Sequence, residues 1–112
     1  MKKAKQLLFR QGDVALVRID EIPSDAKVCK VKGDVVLAYG EVTGHAHRLA
    51  EGSVKPFAKG GAWDPAAERY IQALDGATLK HEEHNAIALP PGNYRVIQQR
   101  EYFPDAIRNV AD

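Results

Sequence analysis

Apolar and polar positions alternate along this chain in short runs broken by Gly, Pro and Asp, and stretches with a 3.6-residue apolar period are scarce. That pattern predicts strands. Residues 6–10 and 13–19 read as the first pair, turned by Gln11-Gly12-Asp13, and residues 27–31 and 35–42 read as a hairpin across Lys32-Gly33-Asp34. Residues 45–49 continue after Thr43-Gly44, and 53–58, 68–74 and 77–80 supply further strands. Residues 85–89 and 94–102 form a last hairpin around Pro90-Pro91-Gly92-Asn93. The longest irregular stretch, 59–67, carries the only Trp and reads either as a flap over a site or as a surface excursion. Residues 104–112 read as a short terminal helix packing Ile107 and Val110. The expectation is an all-β protein, a small single-domain β-barrel or β-sandwich.

Composition narrows the picture without changing it. At 112 residues and 45% hydrophobic content, the chain can close one core and needs no second domain. Sixteen basic and fifteen acidic residues leave a net charge of +1, so no overall field recruits nucleic acid or an anionic membrane. The local exception, residues 1–5 with Lys2, Lys3 and Lys5, reads as a flexible basic tail. No apolar run reaches membrane-spanning length, and Cys29, the single cysteine, permits no internal disulfide. These features lead to the expectation of a cytoplasmic protein.

Chemistry concentrates in the histidines. All four fall into two tight pairs, His45-Ala46-His47 and His81-Glu82-Glu83-His84. Residues two apart on a strand project from one face, so His45 and His47 can aim at one ion. His81 and His84, three apart, can do the same only if their segment turns or bulges; on a straight strand Glu82 and His84 would share a face instead. Four His, or three His plus Glu, suit a divalent transition metal, with zinc, iron, manganese and nickel equally admissible on donor type. Paired cysteines are absent, which argues against a structural thiolate zinc site.

The segment Gly40-Glu41-Val42-Thr43-Gly44-His45-Ala46-His47-Arg48-Leu49-Ala50-Glu51 resembles the first signature of the cupin superfamily, and Leu89-Pro90-Pro91-Gly92 resembles the Pro-x-Gly turn of the second. The resemblance implies a small cupin-like β-barrel with His45, His47 and Glu51 as metal ligands. The chain departs from the cupin pattern where a further His is due after the turn, since Arg95 stands there and His81 and His84 precede it. The combined pattern also looks like a small bacterial or phage family without an assigned role.

Beyond the histidines, Tyr94, Arg100 and Tyr102 share one face of the predicted last strand and could recognise a small-molecule ligand, a partner or a second copy in a homo-oligomer. Two functional classes follow. One is a metal-binding β protein whose ion is either catalytic or structural; the other is a non-catalytic interaction module with a structural ion or none.

Overall fold

The computed structural model describes residues 8–39 and 44–98. The basic tail, the Gly40–Thr43 part of the cupin-like motif, Arg100, Tyr102 and the 104–112 segment lie outside the described residues. Among the described residues there are ten strands: β1 (Leu8–Gln11), β2 (Val14–Ile19), β3 (Ala26–Val28), β4 (Val35–Tyr39), β5 (Ala46–Leu49), β6 (Lys55–Lys59), β7 (Arg69–Ala73), β8 (Ala77–His81), β9 (His84–Leu89) and β10 (Gly92–Gln98). They form a six-stranded sheet in the order β1-β2-β10-β7-β6-β3 and a four-stranded sheet in the order β4-β5-β8-β9. Every pairing is antiparallel. Among the described residues there is no helix, and the two ladders do not join into a closed barrel.

Period-two patterning explains the faces. Val14 and Leu16 on β2, and Tyr94 and Val96 on β10, point inward, while Arg95 and Ile97 point out. The four-stranded sheet answers with Val35, Leu37, Leu49, Leu79 and Leu89, so both sheets feed one core. Each fully buried Leu or Ile there contributes about 1.5–3 kcal/mol. A register shift between Val36 and Ala38 lets β4 turn both Leu37 and Ala38 inward.

Two hairpins expected from the sequence are crossings between sheets. β3 pairs with β6 in the larger sheet, a pairing that Cys29 prolongs by donating its backbone N–H to Pro56 O, whereas β4 pairs with β5 in the smaller one. Lys32-Gly33-Asp34 therefore carries the chain from one sheet to the other. Likewise β9 pairs with β8, and β10 pairs with β2 and β7. Pro90 and Pro91 offer no N–H to a ladder, so the chain leaves the smaller sheet there. The Gln11-Gly12-Asp13 turn, by contrast, joins β1 and β2 as the sequence predicts.

Gly92 enters β10 with φ +153 beneath the Arg18 guanidinium, which itself lies 5.9 Å from the Tyr94 ring centroid. A side chain at 92 has to displace that guanidinium as well as hold an unfavourable backbone conformation. Gly92→Val is expected to destabilise the fold by about 1–3 kcal/mol. A chemical denaturation midpoint unchanged by the substitution would contradict this account of the crossing.

Candidate metal centre

The three-residue spacing of His81 and His84 is resolved by a turn. Glu82 and Glu83 form the tip of the β8–β9 hairpin, and His81 pairs directly across from His84. Opposed residues of a ladder put their side chains on the same face, so both imidazoles emerge together. Neither Glu82 nor Glu83 has positive φ, so the turn is not of the primed type that suits a plain two-residue hairpin. A register shift between Leu79 and His81 accommodates the mismatch.

Glu82 then brings the hairpin to β5. Its Oε1 accepts the Ala46 N–H at 3.0 Å, and its Oε2 is ion-paired with the Arg48 guanidinium. Both contacts flank His47 in sequence, and His47 is thereby set against the hairpin pair. Ring centroids lie 4.3 Å apart for His47 and His81, 4.7 Å for His81 and His84, and 5.6 Å for His47 and His84. One ligand nitrogen from each of these three residues falls within 4.8 Å of the other two. That separation is within reach of one ion at ordinary metal–nitrogen distances of about 2.0–2.1 Å after small rotations.

The β1–β2 turn closes the cluster from the other sheet, and sequence reasoning assigned it no role in the site. Gln11 is buried at 3% exposure and donates through Nε2 to Leu79 O at 3.1 Å and to Asn85 O at 2.9 Å. Two carbonyls at the hairpin irregularity thus claim the amide NH2, which leaves Oε1 as the acceptor facing His47 Nδ1 at 2.9 Å. The His47 proton is therefore on Nδ1, and the Nε2 lone pair is directed away from Gln11. A carboxamide holding the far nitrogen of an imidazole is the arrangement that orients metal-ligating histidines. Asp13 Oδ1 lies 3.5 Å from His47 Nε2, which places a carboxylate beside the same nitrogen. Gly12, with φ +60, packs so closely that a Cβ would fall 3.0 Å from His84 Nε2 and 3.1 Å from His47 Cε1. Only glycine fits between these rings without displacing one.

Burial grades across the cluster: His47 is 3% exposed, His81 is half-buried and His84 is exposed. Burial, with the charges His81 and His84 acquire on protonation, pushes the His47 pKa down to about 4 against the opposing pull of Asp13. Burial, followed by His84, lowers that of His81 as well. At neutral pH both rings are neutral and carry a lone pair. His81 Nδ1 accepts the Glu83 N–H at 3.0 Å, so its proton resides on Nε2 in this state. Coordination through either nitrogen requires that contact to open, because Nε2 needs the proton moved and Nδ1 needs the same lone pair.

His45 and Glu51 stand apart from the three. His45 reaches the edge of the group, 5.9 Å from the His81 ring, where Glu83 Oε2 lies 3.1 Å from its Nδ1 without the alignment of a hydrogen bond. Glu51 is exposed beyond the end of β5, its backbone N–H bonded to Asp34 Oδ1. His47 lies within β5, whereas Glu51 falls in the turn that follows the strand. Tyr94, expected on a recognition face, is fully buried and donates its hydroxyl to Pro90 O at 2.6 Å. Its face of β10 is the core face.

Gln11→Leu removes the acceptor of His47 and both donors to the hairpin. The variant is expected to lose about 1–3 kcal/mol of stability from unpaired buried groups and to bind metal about 10–100-fold more weakly. Denaturation and metal titration of the same sample check both effects; unaltered affinity would show that Gln11 orients nothing.

No helix among the described residues is long and apolar enough to cross a membrane. No curated protein and no solved structure matches the chain. A family described as a domain of unknown function (DUF8820) matches residues 10–99, a span that contains the whole cluster from Gln11 to His84, and the chain belongs to that family.

Proposed function

We propose that this protein binds one divalent transition metal through His47, His81 and His84, with Asp13 beside the ion. The carrying observation is the Gln11 amide, which holds the His47 proton on Nδ1 and leaves the Nε2 lone pair free beside Asp13, in a ring that sits against His81 and His84. A solvating surface histidine has no need of a buried carboxamide that fixes its tautomer. Neutral imidazoles with a neighbouring carboxylate suit zinc, iron, manganese or nickel. The exposed His84 leaves one side of the ion open to solvent, which favours an exchangeable coordination position over a closed structural shell. Such an ion polarises or activates a bound small molecule, and this reading favours a Lewis-acid or redox site over an interaction module.

Cobalt substitution tests the proposal. The loaded protein is expected to show a visible spectrum perturbed by azide or a small carboxylate, and with diamagnetic zinc in place of cobalt the Glu83 amide resonance is expected to shift as its contact with His81 opens. A tetrahedral-type spectrum indifferent to every added anion would overturn the open-site reading, and no cobalt uptake at all would overturn the metal.

A further inference from the structure

A cavity of about 470 Å³ lies between β4 and the 59–67 connection, with Arg48 in its lining and none of the histidines. Its wall is apolar, with Val36, Leu37, Ala38, Trp63 and Pro65. Two side chains that define it are held by carbonyls of β4, an edge strand of the smaller sheet. Trp63 Nε1 donates to Val36 O at 2.8 Å, and Arg69 Nη2 donates to Leu37 O at 3.0 Å. The Arg69 guanidinium carbon in turn lies 4.9 Å from the Trp63 ring centroid. Trp63 therefore anchors the 59–67 connection to β4, and the cavity is preformed.

Lys32 and Arg48 bring cationic groups to it, beside one carboxylate, Asp34, whose Oδ1 already accepts the Glu51 N–H. Arg48 directs Nη2 to Glu82, and its guanidinium retains further N–H donors. The volume is that of a small-molecule site, too small for a macromolecular partner.

We infer that this cavity binds a small organic anion with a flat apolar body, an aromatic carboxylate or sulfonate, whose ring lies against Trp63 and whose charged group meets Arg48 and Lys32. The inference stands independently of the metal, and the test is run in the presence of a chelator. It also gives Arg48 two roles, since the same guanidinium reaches Glu82 on the metal-site hairpin.

Trp63 is the only tryptophan, so intrinsic fluorescence reports this cavity directly. Titration of the full chain with 1-anilinonaphthalene-8-sulfonate is expected to quench Trp63 saturably at one site. The neutral analogue N-phenyl-1-naphthylamine, with the same rings and no sulfonate, is expected to bind at least about 10-fold more weakly, the worth of one charge-assisted contact. Lys32→Gln and Arg48→Gln are each expected to erode that preference while leaving the neutral probe unaffected, with thermal melts confirming that both variants remain folded. Equal affinity for the two probes in the unaltered protein would reduce the cavity to an apolar cleft and overturn the inference. Dye binding that leaves Trp63 emission unchanged would place the dye elsewhere and overturn it equally.

Discussion

His47→Ala is expected to lower metal affinity by at least about 100-fold, more than the loss of an orienting neighbour, because it removes a ligand that the fold has already positioned. His47 is the buried member of the cluster, its tautomer set by Gln11 and its ring placed by the Glu82 contacts to Ala46 and Arg48. His45→Ala is expected to leave affinity nearly unchanged, since His45 lies outside the three-residue group and faces Glu83. Competition with a chromophoric chelator, together with elemental analysis of the purified proteins, separates these outcomes. Equal metal in the unaltered protein and in His47→Ala would end the assignment. Retention in His81→Ala with loss in His45→Ala would replace His81 by His45 in the ligand set.

Acid is expected to destabilise the metal-free protein by roughly 3 kcal/mol between pH 6.5 and 4, through His47 alone. The sign follows from the direction of the shift: burial lowers the His47 pKa from 6.5 to about 4, so the unfolded chain binds the proton more readily than the folded one. Stability is complete above pH 6.5, declines as pH falls through the window, and has lost the whole contribution below pH 4. His81, lowered in the same direction, adds to the decline. Denaturant unfolding at a series of pH values with chelator present measures the slope, and His47→Ala is expected to flatten it. A slope identical in the variant would show that another group carries the acid sensitivity.

Much of the site was legible because its chemistry is concentrated in residue type. Every histidine lies in one of two close pairs, and the three-residue spacing left two arrangements, a straight strand with Glu82 and His84 on one face or a bend that brings His81 and His84 together. The turn at Glu82-Glu83 is that bend. The strands of β1 and β2 and the all-β character were equally readable, since alternation and turn residues are local properties. Strand partners were not. β10 follows β9 across Pro90-Pro91 yet pairs with β2 and β7, because apolar alternation specifies a buried face without naming the sheet that buries it.

The same limit separates His45 from His47. Their spacing is right for one strand face, but β5 begins at Ala46, and the contacts from Glu82 fix His47 beside the hairpin while His45 remains before the strand. Glu51 suited the cupin-like spacing, but it falls in the exposed turn after β5 and outside the group formed by the three rings. Gln11, Gly12 and Asp13 read only as a turn in the sequence. They acquire their part in the site because folding packs that turn against β5, β8 and β9, where an amide can meet two carbonyls and an imidazole at once. The sequence by itself determined the donor types, the all-β character and the choice between a bend and a straight strand at His81 and His84. Which donors meet was decided by non-local packing of two sheets, since hydrogen bonds and van der Waals contact act through space and leave no periodic trace along the chain.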